Sequence, residues 1–102
     1  MIVLKNNVYE KVNMTPETIL KKQIKDYLKI KKWMVFHILQ GIGSHQGICD
    51  LIAIKNGVVY FVEVKTKNGR QSEAQKQFET SIVLSGGNYL IARSLDDIMK
   101  IA

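Results

Sequence analysis

An Asn-Gly pair between two apolar runs constrains the fold of this chain more than any other feature. The run Leu-Ile-Ala-Ile ends just before Lys55, Asn56-Gly57 follows, and a second run rich in β-branched and aromatic residues begins at Val58. Asn and Gly both tolerate the left-handed backbone that a two-residue turn requires, so the pattern predicts a β-hairpin. With Asn56 and Gly57 as the turn residues, Lys55 pairs with Val58, and that pairing fixes the register of the hairpin.

The predicted register gathers three charged side chains on one face of the hairpin. Asp50 falls directly opposite Glu63, with Cβ atoms about 4.5–5.5 Å apart, and the two-residue period of a strand places Lys65 on the same face. Like charges in directly opposed positions destabilise a sheet, so the two carboxylates need a compensating cation. A hard divalent ion fits best, because Mg²⁺ binds through one or two carboxylates and keeps waters that can be activated.

The same three residues also have a structural interpretation. If the strands end near residues 50 and 63, the side chains are solvated, or Glu63 and Lys65 form an ordinary ion pair. On the functional interpretation, Glu17 adds a third carboxylate if the first helix packs over this face of the sheet. The sequence leaves both interpretations open at this point.

The rest of the chain predicts helices packed against a mixed sheet. Thr15 is a good N-cap, Pro16 suits the first helical position, and apolar residues then recur at helical spacing to about residue 31. The other predicted elements are a strand at 33–39, a glycine-rich loop at 40–47, the hairpin, a helix at 72–84, a strand at 89–92 and a helix at 94–101 capped by Ser94. The order α-β-β-β-α-β-α predicts an α/β fold: a single small mixed β-sheet domain flanked by helices.

Length and cysteine content indicate one small domain. The 102 residues suffice for one modest core, and we predict an N-terminal arm or small hairpin at residues 1–14 followed by the domain at 15–102. No apolar run approaches the roughly 20 residues of a membrane-spanning helix, so we expect no membrane partner. The single cysteine, Cys49, excludes an internal disulfide, and the absence of a signal-peptide pattern adds to the case for a reducing cytoplasm.

Positive charge is concentrated in the N-terminal third of the chain. The formal net charge is +6, and residues 1–33 hold eight lysines against three acidic residues. Such a segment favours a polyanionic partner, because lysines that neutralise phosphates release condensed counterions. The alternative is a solvated helix face that keeps the protein soluble, and charge alone does not choose between the two.

Several motifs follow one another in a fixed order along the chain. They are Glu17 on the first helix, Gly47-Ile48-Cys49-Asp50 before the hairpin, Glu63-Val64-Lys65 after it, Gln75-x-x-Phe78 on the next helix and Arg93 after a short strand. This ordered set resembles the PD-(D/E)xK nuclease superfamily and, within it, the VRR-NUC branch, from about residue 15 to the C-terminus. Cys49 stands where the superfamily usually has proline, which loosens the motif but removes no ligand.

The resemblance implies a DNA-cleaving site that depends on Mg²⁺ or Mn²⁺. Asp50 and Glu63 would ligate the metal, the Val64 carbonyl would be a third protein ligand, and Glu17 would reach the metal through a water. Lys65 would orient or help deprotonate the attacking water and stabilise charge on the phosphorane-like transition state.

Gln75 has two interpretations. The resemblance places it at the edge of the active site. In the sequence, however, Ser72-x-x-Gln75 is also a capping box, in which Gln75 closes the start of a helix. The sequence does not choose between these roles.

Five residues are predicted to contact nucleic acid. Lys67 and Arg70 follow the catalytic strand and could hold phosphates, although an exposed basic turn is the alternative. Lys21 and Lys25 belong to the basic first helix, and His45 lies in the glycine-rich loop, where a solvated histidine is the alternative.

The favoured function is hydrolysis of DNA phosphodiester bonds. The resemblance implies a stand-alone, structure-selective endonuclease of phage or bacteria that cuts four-way (Holliday) junctions as a homodimer, because paired symmetric nicks require two sites. The alternatives are a flap, restriction-like or non-specific nuclease of the same fold, and a non-catalytic basic nucleic-acid-binding module. Asp50, Glu63 and Lys65 argue against the last, because a pure binder has no reason to hold two opposed carboxylates near phosphates.

Overall fold

The chain folds as two separate sheets and three helices. A computed structural model describes residues 14–39 and 44–102, and also the backbone of two N-terminal strands, β1 (Ile2–Lys5) and β2 (Val8–Lys11). The other elements are α1 (Pro16–Ile30), β3 (Met34–His37), β4 (Leu51–Lys55), β5 (Val58–Val64), α2 (Glu73–Leu84), β6 (Asn88–Ala92) and α3 (Leu95–Met99). From α1 onward they follow the predicted order α-β-β-β-α-β-α.

Strands β1 and β2 pair antiparallel as a two-stranded sheet of their own. This pairing agrees with the small hairpin predicted at the N-terminus; residues 6 and 7, between the two strands, lie outside the described residues. The boundary predicted at residue 14 between arm and domain stays a prediction. Residues 40–43 of the predicted glycine-rich loop are likewise outside the described part.

The helix ends follow local signals in the sequence, with one exception. The Thr15 side chain accepts the backbone N–H of Thr18 at 3.2 Å, so α1 begins where predicted. Ser94 occupies the predicted N-cap position of α3, but its side chain makes no capping hydrogen bond. The carboxylate of Asp97 instead accepts the backbone N–H of Arg93 at 2.8 Å. Within the described residues, no helix has both the length and the apolar character needed to cross a membrane.

The main sheet has four strands in the order β3-β4-β5-β6. The first two neighbouring pairs are antiparallel, whereas β5 and β6 run parallel. Lys55 pairs with Val58 across a turn in which Asn56 and Gly57 both have positive φ, at 52° and 79°. The predicted hairpin, its register and the mixed character of the sheet are therefore confirmed.

Helices cover both faces of this sheet. Helices α1 and α3 bury Ile24, Leu28 and Ile98 against one face, where Val62 and Val64 of β5 belong to the same core. Helix α2 packs on the other face through aromatic contacts. Because side chains alternate along a strand, Glu63 projects from the α2 face and not from the face that α1 covers. Helix α1 therefore does not pack over the sheet face that carries Glu63, which was the condition under which Glu17 would add a third carboxylate from that face.

Candidate active site

The carboxylates of Asp50 and Glu63 meet where the start of β4 lies beside the end of β5. Leu51 pairs with Val62, and one further step along both strands places Asp50 opposite Glu63. The backbone N–H of Asp50 donates to the Val62 carbonyl at 3.0 Å. Its Oδ2 accepts the backbone N–H of Val64 at 2.8 Å. These two hydrogen bonds hold the aspartate against β5.

Both carboxyl groups are buried, and burial changes their ionisation. Glu63 has no exposed surface, and Asp50 keeps 8%. Burial raises the pKa of Glu63 to about 8, and the hydrogen bond and negative charge of Asp50 add to the increase. Burial also opposes ionisation of Asp50, but hydrogen bonds from Glu63, the Val64 N–H and Lys21 outweigh it and lower the Asp50 pKa. At neutral pH the proton of this pair therefore resides on Glu63.

Two lysines supply positive charge on either side of the pair. The Nζ of Lys65 lies 3.7 Å from Glu63 Oε2. The Nζ of Lys21 lies 3.0 Å from Asp50 Oδ1 and 3.5 Å from Glu17 Oε2, so it links the first turns of α1 to the aspartate. Helix α1 thus contacts the carboxylate of Asp50 through Lys21. Glu17 pairs with the same lysine.

The carboxylates fit a divalent cation. Neither oxygen of Glu63 accepts a hydrogen bond from a described residue, so the ionised form of this buried group is costly without a bound cation. The described residues contain no group of three or more His, Cys, Asp and Glu side chains that could hold a metal. That Asp50, Glu63 and the Val64 carbonyl are the protein ligands of a metal stays a prediction. This small set suits Mg²⁺, which binds through one or two carboxylates and retains waters.

Comparison with solved structures identifies the fold. One structure, described as a VRR_NUC domain, superposes with a TM-score of 0.75 and 26% sequence identity over 86% of this chain and 95% of the other. The chain folds as a VRR-NUC domain. No protein-family model and no curated protein matches the sequence, so the structural match confirms the family resemblance first indicated by the motifs. It supports a nuclease-type domain.

In this VRR-NUC domain, Gln75 closes the first turn of α2. Its Oε1 accepts the Ser72 N–H at 2.8 Å, and its own N–H donates to Ser72 Oγ at 3.1 Å. The same turn packs against Gly47, which has a φ of +75° and where a Cβ would overlap the Ala74 carbonyl. The capping interpretation of Gln75 is therefore confirmed, whereas its role at the edge of the active site stays a prediction.

His45 and Lys25, both predicted to contact nucleic acid, lie in different parts of the fold. The His45 ring packs edge-to-face on Phe78 of α2 with centroids 5.3 Å apart, and its Nδ1 is 2.9 Å from the Gln46 carbonyl oxygen. Lys25 is half-buried on α1, and the burial of His37, together with the positive charge of Lys25, lowers the pKa of that histidine. Contact of His45 or Lys25 with DNA stays a prediction.

Two features of this VRR-NUC site were not predicted from the sequence. The first is the ion pair of Lys21 with Asp50, for which the four-residue spacing of Lys21 from Glu17 was the available signal; contact of Lys21 with nucleic acid stays a prediction. The second is Arg93, which holds the loop that carries the exposed residues Lys67 and Arg70. No local pattern identifies that contact, because 24 to 27 residues separate the partners.

Proposed function

We propose that the chain is an endonuclease that hydrolyses phosphodiester bonds of DNA and depends on Mg²⁺ or Mn²⁺. The observation that carries the proposal is the Glu63 carboxyl group, which is fully buried, faces Asp50 and lacks a donor among the described residues. Once ionised, such a group is costly to keep buried unless a cation binds to it. A non-catalytic basic module would gain nothing from two opposed carboxylates, because they repel phosphates.

The proposed mechanism assigns each residue one task. A metal held by Asp50, Glu63 and the Val64 carbonyl would polarise the phosphate and lower the pKa of a bound water. Lys65 stands beside Glu63, so its ammonium group orients the attacking water or helps to deprotonate it, and neutralises charge that develops on the phosphate oxygens. Lys21 balances the charge of Asp50.

Two further residues have supporting tasks in this proposal. Glu17, paired with Lys21 at the border of the site, would hold a water that binds the metal. Gln75 lines the edge of the site from the first turn of α2, where its capping bonds fix the position of its side chain.

The proposed substrate is branched DNA, and the proposed active form is a homodimer. A domain of 102 residues offers little surface for reading a base sequence, which favours recognition of backbone and shape. A four-way junction is cut by paired symmetric nicks, and these require two active sites. In this proposal, DNA is contacted by the lysines of α1, including Lys21 and Lys25, and by His45. The proposed setting is the cytoplasm of a bacterial or phage-infected cell.

A cleavage assay tests this proposal. The chain is incubated with junction, flap, duplex and single-stranded DNA in Mg²⁺, Mn²⁺ or EDTA, beside Asp50→Asn, Lys65→Met and the surface control Lys76→Met. We expect metal-dependent nicks, fastest in the junction, and rates at least about 100-fold lower for the first two variants. Cleavage in EDTA, or by Asp50→Asn at the control rate, would refute the mechanism. Binding without cleavage would favour the non-catalytic module, and preference for flap or duplex DNA would favour another nuclease of this fold.

A further inference from the structure

Arg93 organises the loop that follows β5. Its Nη1 donates to the carbonyl oxygens of Thr66 at 2.9 Å, Gly69 at 2.6 Å and Lys67 at 3.4 Å. The backbone of Arg93 is itself fixed, because its N–H donates to Asp97 at 2.8 Å. One guanidinium nitrogen therefore holds three converging carbonyl groups, and the loop and the arginine immobilise each other.

This arrangement leaves part of the guanidinium group available. All the side-chain hydrogen bonds that Arg93 makes to described residues leave from Nη1. Nε and Nη2, which carry three of the five N–H donors of the group, have no acceptor among those residues. Two parallel N–H groups of this kind form the planar fork that pairs with two oxygens of a phosphate.

The available part of the guanidinium group borders a strongly basic cavity. The cavity has a volume of about 470 Å³ and is lined by Lys67, Asn68, Gly69, Arg70 and Arg93. The chain contains only two arginines, and both line this cavity. The exposed Lys67 and Arg70 side chains have no ion-pair partner within the described part of the chain, so no carboxylate neutralises them. A dianionic or monoanionic oxyanion is the ligand that this lining favours.

The cavity lies at the carboxyl ends of two parallel strands. β5 and β6 run parallel, and the loop begins directly after Lys65, whose backbone N–H donates to the Ala92 carbonyl at 3.0 Å. In open sheets, ligands bind beyond the carboxyl ends of such strands. The loop that lines the cavity therefore directly follows Lys65 of the candidate active site, and the cavity lies beside that lysine.

We propose that Arg93, Lys67 and Arg70 form a phosphate-binding pocket, and that it holds a DNA backbone phosphate close to the one that is cleaved. Arg93 contacts the phosphate through Nε and Nη2 while Nη1 keeps the loop in place. The DNA part of this inference rests on the proposed function, whereas binding of phosphate itself does not. The preformed loop lowers the entropy that the pocket loses when it binds.

Titration with inorganic phosphate tests the pocket directly. The ¹⁵N-labelled wild-type chain is titrated in EDTA and followed by NMR. Arg93→Lys and the double variant Lys67→Met/Arg70→Met are measured in the same way. Lys76→Met is the control, because it removes one lysine charge outside the cavity. We expect saturable shifts at the amides of residues 67–70 and 93 in the wild type and the control. Arg93→Lys retains a cation for the loop carbonyls but lacks the fork, so its shifts should be lost. The double variant changes only exposed side chains, so we expect it to fold. Its phosphate-induced amide shifts should also be lost.

A DNA-binding measurement separates the pocket from the catalytic proposal. In an Asp50→Asn background with EDTA, we expect Arg93→Lys to bind junction DNA about tenfold more weakly, and we expect Lys67→Met/Arg70→Met to reduce the salt slope by about 1. In the cleaving enzyme, we expect Arg93→Lys to raise KM and to leave kcat nearly unchanged. Phosphate shifts that survive in both pocket variants, or DNA binding weakened no more than in Lys76→Met, would overturn the pocket. Pocket binding without cleavage in any metal would overturn the proposed function and leave the pocket intact.

Discussion

Glu63→Gln tests whether burial of an acidic group at this position costs stability. The side chain has no exposed surface, and its pKa rises from 4.5 to about 8 on folding. Between these two pH values the folded chain binds a proton that the unfolded chain has lost, so stability falls as pH rises. Glutamine has the same shape and no such proton, so the variant should not show this loss.

The size of the effect follows from the pKa. At about 1.4 kcal/mol for each pKa unit, a rise from 4.5 to about 8 corresponds to at most about 4–5 kcal/mol of unfolding free energy. Entry of water and relaxation around the buried carboxylate reduce this cost, so we expect about 2–4 kcal/mol between pH 5 and pH 8. Asp50 does not contribute in this window, because its pKa is lowered from 3.8.

Urea unfolding in EDTA at pH 5, 6, 7 and 8 measures the difference. The gain in stability of Glu63→Gln over the wild type should increase with pH, whereas the exposed control Glu73→Gln should follow the wild type. Addition of Mg²⁺ at pH 8 should stabilise the wild type more than Glu63→Gln, because the cation binds the native carboxylates. If the free energies of unfolding of the wild type and Glu63→Gln change with pH in parallel, burial of the Glu63 carboxylate is not costly and the reasoning is refuted.

Four other substitutions test the surroundings of the site and the packing around it. Lys21→Met should raise the pKa of Asp50, measured by carbon NMR, because it removes an ammonium group 3.0 Å from the carboxylate. Gly47→Ala should lower the free energy of unfolding by about 3 kcal/mol or more, since the new Cβ would overlap the backbone of α2. Gly57→Ala, where nothing lies within 4 Å, should cost only about 1–2 kcal/mol. Phe78→Ala should cost about 3–5 kcal/mol in thermal or urea unfolding, because the buried ring contacts three other rings.

Turn chemistry made the central pair predictable. Asn56 and Gly57 specify a two-residue turn, and a strand has a fixed period of two residues, so the position of Asp50 opposite Glu63 follows from local rules. Burial of the pair also follows in part, because Glu63 interrupts an otherwise apolar strand. These features depend on residues close together in sequence.

The contacts of α1 depended on tertiary packing and were predicted less well. The amphipathic pattern indicates which side of the helix is buried, but not which face of the sheet receives it. In the structure Ile24 and Leu28 pack on the face opposite Glu63. Glu17 therefore lies outside any three-residue acidic group, and Lys21 is the α1 residue that contacts Asp50.

The loop after β5 illustrates a second kind of limit. Lys67 and Arg70 are both exposed, but the arrangement of their loop depends on Arg93, which lies directly after β6 and more than 20 residues further along the chain. Side-chain to backbone contacts over such distances leave no periodic signal in the sequence.

Cleavage of a labelled four-way junction by wild type and Glu63→Gln, in Mg²⁺ at pH 8, tests the central claim most directly. The account predicts that the wild type nicks the junction and that EDTA abolishes the reaction. It also predicts that Glu63→Gln, although folded and at least as stable without metal, cuts at least about 1,000-fold more slowly. Cleavage by Glu63→Gln at the wild-type rate would contradict the claim that Asp50 and Glu63 together hold the metal for the reaction.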